Sequence, residues 1–146
     1  MLPPKQALAA AEATRKWWAC PGVVYFLGVG EPIVAVKIGM LAITERLTLA
    51  SAVRRRLSQI QTANHEPIHV LGLIHFHDSD FPTRDAEIKE RELHLEFEHL
   101  GRFKAGTKGA EWFSSSPELL SRITEVSKAP EELGVERCIA VQSLRY

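Results

Sequence analysis

The chain has 146 residues, 18 lysines and arginines against 18 aspartates and glutamates, and two cysteines, Cys20 and Cys138. That length suits one domain burying its own core, and two thiols are too few for a disulfide framework or a four-thiolate zinc site. Balanced charge leaves no overall field to draw the molecule onto nucleic acid, so binding of that kind needs a local patch.

No run approaches membrane-spanning length, and the apolar stretch 7–13 is interrupted by Glu12 and followed by Arg15 and Lys16, the wrong side for a leader peptide. A cytoplasmic protein without a membrane partner is expected. Residues 4–18 read as an alanine-rich helix ending in Trp17 and Trp18 and stopped by Pro21-Gly22. Residues 22–27 and 32–38 are dense in valine, isoleucine and aromatics around a glycine- and proline-bearing turn, which predicts a hairpin. A helix over 47–63, a third strand over 68–76 and a long helix over 83–100 follow, the last closed by Gly101.

The loop 104–110 then leads to Trp112 and Phe113, an aromatic pair assigned to the core. Ser116-Pro117-Glu118 predicts a capped helix to residue 126, and Pro130 breaks the chain before 136–144, which adds a last strand or packs as a tail. The order β-β-α-β-α-α predicts an α/β (α+β) fold, a small, mostly antiparallel three-stranded sheet flanked by helices. An N-terminal helical extension (1–21) and a C-terminal extension (128–146) frame the domain at 22–127.

Helical geometry singles out particular residues. At about 100° per residue, Leu49, Val53, Leu57 and Ile60 form the apolar arc of the first core helix, and of Arg54, Arg55 and Arg56 only Arg56 projects inside it. Either its head snorkels to water or it serves a site. On the long helix Ala86, Leu93, Phe97 and Leu100 face inward, with Glu90 beside them and His94 one turn later; Glu90 pairs with a cation at the helix flank or holds a metal. Lys37, within a well-buried run, needs a partner, and Tyr25 shares its face if the hairpin register allows.

In this order, Val23-Val24-Tyr25, Lys37-Ile38-Gly39, Arg56-Leu57 with Gln59 to Asn64, Glu90 with Leu93-His94, and Glu111-Trp112-Phe113 resemble the GIY-YIG nuclease superfamily, in its small branch with lysine for the second signature tyrosine. The resemblance covers roughly residues 22–125. Val23 stands where the first signature has glycine, with Gly22 just before it, and the long connection after Gly39 leaves Arg46 a rival for the arginine position.

The resemblance implies a divalent-metal-dependent endonuclease acting on DNA, with RNA left open. Tyr25 would be the general base or position the attacking water, its pKa lowered by Lys37 or the metal. Arg56 would neutralise charge on the phosphate, and Glu90 would hold Mg2+ or Mn2+. His94 would relay a proton or orient Glu90. Arg54, Arg55, Lys104 and Lys108 are the expected substrate-binding residues, and the apolar-rich termini allow a homodimer. Two rivals stay open: a nucleic-acid-binding or protein-interaction module without turnover, and a transition-metal site at His75, His77 and Asp78.

Overall fold

The computed structural model describes residues 4–104, 107, 109 and 111–139. In chain order they form helix α1 (Pro4–Ala19), strands β1 (Gly22–Val29) and β2 (Ala35–Ala42), helix α2 (Leu49–Thr62), strand β3 (Ile68–Phe76), helix α3 (Pro82–Glu96), strand β4 (Trp112–Ser114) and helix α4 (Pro117–Val126), with short 3-10 turns at Glu98–Leu100 and Pro130–Leu133. The sheet has four antiparallel strands in the order β3-β1-β2-β4, where the sequence predicts three. The added strand is three residues long and pairs Trp112 with Lys37, Phe113 with Val36 and Ser114 with Ala35.

Alternation along β1 sorts its side chains between two cores. Val23, Tyr25 and Leu27 pack with Ala52, Val53 and Leu57 of α2 and with Val135 of the C-terminal segment. Val24 and Phe26 pack on the opposite face with Ala86, Leu93 and Phe97 of α3 and Leu119 and Ile123 of α4. A helix layer therefore covers each face of a central sheet whose middle strand, β1, is buried on both sides, which is why residues 23–27 read as one continuous apolar run.

Local signals set the element ends. Thr48 caps α2, its hydroxyl accepting from Ser51 N at 3.1 Å while Ser51 Oγ accepts from Thr48 N at 2.8 Å. Proline opens α3 and α4, and Ser116 Oγ caps α4 through Leu119 N at 3.1 Å. α3 ends at Glu96, one turn short of the predicted boundary, and residues 98–100 continue as 3-10. Thr83, fully buried, donates to the carbonyls of Cys20 and Pro21 at 2.7 and 3.2 Å and ties the start of α3 to the entry of β1.

α1 buries no residue; Trp18 meets Phe81 edge-on at 6.2 Å between ring centroids, and Arg84 lies 4.7 Å from the centre of the Phe81 ring. Beyond α4 the chain runs beside β3, with single bridges from Lys128 to Leu73 and from Cys138 to His69. The described part of 136–144 is thus bridged to the sheet edge without forming a strand, and residues 140–144 lie outside the described residues. No described helix is long and apolar enough to cross a membrane.

Candidate active site

The site forms where β4 stops and β2 continues. β4 covers β2 only as far as Lys37, with Glu111 O accepting from Ile38 N at 3.0 Å, so among the described residues no strand covers the outer edge of β2 from there to Ala42. Two side chains occupy it instead: His94 Nε2 donates to Ile38 O at 2.8 Å and Arg56 Nη1 donates to Met40 O at 3.3 Å. These bonds satisfy the edge carbonyls and orient both side chains.

Tyr25 pairs with Gly39 across the hairpin, and Lys37 lies two residues before Gly39, so the tyrosine and the lysine share the α2 face. Gly39 is required there. A Cβ on it would fall 2.4 Å from both Cζ and the hydroxyl of Tyr25, so the missing side chain is what lets the phenol lie across β2. Arg56 meets that hydroxyl, Nη1 donating to it at 3.1 Å, with the guanidinium 5.8 Å from the ring centre. Lys37 pairs with Glu111, its side chain only 13% exposed, and its ammonium stands 5.7 Å from the centre of the Trp112 ring.

Glu90 reaches the same place from the α3 face. It shares a hollow of ≈ 520 Å³ with Met40, Glu87, Arg91, His94 and Glu111. Burial pushes the Glu90 carboxyl up to about 7; Glu111 adds to the rise, Lys37 opposes it, Glu87 adds again and Arg56 opposes. Burial likewise raises the Tyr25 phenol above its ordinary value, against the lowering by the charge and hydrogen bond of Arg56, with Glu111 and Glu90 contributing to the rise. The cation acting on Tyr25 is therefore Arg56, where the sequence reading names Lys37 or a metal. Lys37 is engaged by Glu111.

Of the residues expected from sequence, Tyr25, Lys37, Arg56, Glu90 and His94 are brought together. Arg46 is exposed before α2 with φ 72°, and it is Arg56 that reaches the phenol. Arg55 lines an adjacent hollow with Arg56, Gln59 and Thr44, whereas Arg54 turns away to Glu136 at 3.3 Å. Lys104 is exposed and lines neither hollow, and Lys108 lies outside the described residues. Phe113 is buried in the core as expected; Trp112 is half-buried, its ring beside Lys37.

The site residue missed is Glu111. Its position in the Glu111-Trp112-Phe113 fragment is the one signal for it, since apolar periodicity does not find a carboxylate on a loop. The His75 and His77 rings are 4.5 Å apart, with His77 Nδ1 3.0 Å from Asp78, but among the described residues no three histidine, cysteine, aspartate or glutamate side chains are grouped to hold an ion. The same holds of Glu90 and the carboxylates near it, so neither place has a three-ligand group among the described residues. Comparison of the chain with family models, curated proteins and solved structures returns no significant match.

Proposed function

We propose that this chain is a divalent-metal-dependent endonuclease of GIY-YIG type, hydrolysing phosphodiester bonds of DNA at the open end of β2. The observation carrying this reading is that Tyr25, Lys37, Arg56 and Glu90, from two strands and two helices on opposite sheet faces, meet around Gly39 with the phenol and guanidinium hydrogen-bonded. An antiparallel sheet between helix layers agrees with the frame that the resemblance implies.

Glu90 suits a hard divalent cation, being an oxygen donor at an open hollow, beside Glu87 and Glu111, where its own negative charge is costly. Glu90 would hold magnesium or manganese, whose chemistry there would be to add positive charge beside the phosphate and to acidify water. Arg56 binds non-bridging phosphate oxygens with the donors not given to Tyr25 and Met40, and offsets the charge that grows as water adds to phosphorus.

Tyr25, its pKa raised, stays protonated near neutrality, which favours orientation of the attacking water over service as a phenolate base. His94 donates through Nε2 to Ile38 O, which fixes its ring at the rim of the hollow that holds Glu90, where it would orient that carboxylate or relay a proton. Lys37, held by Glu111, is a fixed cation beside the phosphate.

Labelled single-stranded, duplex and branched DNAs, incubated with magnesium, manganese or chelator, test this. Metal-dependent cleavage by the unsubstituted chain, lost in folded Glu90→Ala and Arg56→Ala variants, is expected. The raised Tyr25 favours a second reading, a binding module without turnover; binding unaltered by Glu90→Ala, with no cleavage of any substrate, would be its mark.

A further inference from the structure

Another hollow, of ≈ 340 Å³, lies at the far end of β2 from Gly39. Its walls include Val34 and Ala35, Asn64 just after α2, and Arg102, Phe103 and Trp112. Phe103 and Val34 are each 56% exposed, two large apolar side chains left in water beside the half-buried Trp112.

This aromatic wall is braced. The Phe103 ring lies against Gly109, where a Cβ would fall 2.6 Å from the ring, and Arg102 N donates to Trp112 O at 3.0 Å, fixing the segment to the edge of β4. Asn64 gives its amide nitrogen to Ile60 O at 3.1 Å, and its side-chain oxygen accepts no hydrogen bond among the described residues. The hollow adjoins the candidate active site through Lys37, whose ammonium is beside the Trp112 ring. Ala35 lies four residues from Gly39 along β2, about 13 Å at ~3.3 Å per residue.

Flat apolar rings, an unspent acceptor and the Arg102 cation form a chemistry suited to one kind of ligand, a planar heterocycle with N–H groups on its edge and phosphate attached. We infer that this hollow takes an unpaired nucleobase of the substrate strand, next to the phosphate engaged at Gly39. A base inside a duplex has both faces covered by its neighbours, so the substrate class is single strands, flaps or frayed ends, not intact duplex. The inference rests on the nuclease reading for the polymer's identity, though not on turnover.

The test is made on the full chain carrying Glu90→Gln, in chelator, by fluorescence anisotropy. Its probes are a labelled single-stranded oligodeoxynucleotide, an oligoribonucleotide of equal length, an abasic deoxyribose-phosphate strand and a blunt duplex. The base-bearing strand is expected to bind about 10-fold tighter than the abasic strand and the duplex. Phe103→Ala, at an exposed position, should abolish that ratio, and Phe103→Trp should keep it. Tighter binding of the ribose strand would name RNA and still support the base pocket.

Equal binding of base-bearing and abasic strands, duplex binding as tight as single-strand binding, or a ratio untouched by Phe103→Ala would overturn the inference. Cleavage by the unsubstituted chain is scored separately. A chain that binds bases without cleaving loses the nuclease reading and keeps this one, and one that cleaves without discriminating bases does the reverse.

Discussion

Gly39 and Tyr25 constrain one another closely. Because a Cβ at position 39 overlaps the phenol, Gly39→Ala must displace the ring and break its hydrogen bond to Arg56. We expect a stability loss of about 1–3 kcal/mol in urea unfolding, with activity falling further than stability explains. Arg56→Lys keeps one charge but cannot reach phosphate, phenol and strand carbonyl together, so kcat should drop about 100-fold or more with the fold intact by circular dichroism.

Glu90 sets a pH dependence whose sign follows from burial. Its carboxyl titrates at about 7 in the folded chain against an ordinary 4.5, so the folded state holds the proton more tightly. The stability this confers is full below about pH 4.5, is lost as pH rises toward 7, and stays lost above that. Urea unfolding in chelator should show that slope flattened in Glu90→Gln, with the variant more stable than the parent by about 1 kcal/mol at pH 8, allowing for solvent screening. Cation affinity should run the other way, strengthening through pH 7 as the proton leaves.

Among elements, α2 and α3 were the most legible. Each presents a sustained apolar arc; of the side chains it marks, Val53, Leu57, Ala86, Leu93 and Phe97 are buried, and Leu49, Ile60 and Leu100 are partly buried against them. Arg56 and Glu90 were legible for the same reason, as charges set against an apolar stripe. β4 was not, because three residues give no periodicity and its pairing with Ala35 to Lys37 is a long-range event. The hairpin predicted over 22–27 and 32–38 forms with its second strand displaced: β2 runs to Ala42 through Gly39, a residue that weakens strands and here makes room for Tyr25. The buried run around Lys37 predicts a partner for it, yet Glu111 lies 74 residues away, beyond the reach of local pattern. The Thr48–Ser51 capping box, which sets the start of α2, predicts that Thr48→Ala costs about 1 kcal/mol by thermal unfolding, without loss of DNA cleavage.

At the scale of the molecule, the two cores divided by β1 carry the fold, and α1 adds little to either. A chain beginning at Cys20 keeps both carbonyls that receive Thr83 and loses only the contacts of α1, among them Trp18 against Phe81 and Arg84. Its expected stability loss is below about 2 kcal/mol, with cleavage unchanged; a chain that fails to fold without α1 would show that the helix braces α3. The C-terminal segment differs. Val135 is buried in the first core, and Arg137 binds both Val70 O at 3.0 Å and Glu131 at 2.7 Å, so shortening the chain before residue 135 should cost more than removing α1.

The uncovered stretch of β2 gives His94 and Arg56 a second consequence. An exposed strand edge invites another chain to add itself, and here the two carbonyls that would receive it are already taken by side chains. Alanine at either position removes a chemical group and also unlocks a template for edge-to-edge association. Such variants should show rising light scattering at high concentration, and the residues to which the proposed reading gives chemical roles are the ones that keep this edge solitary.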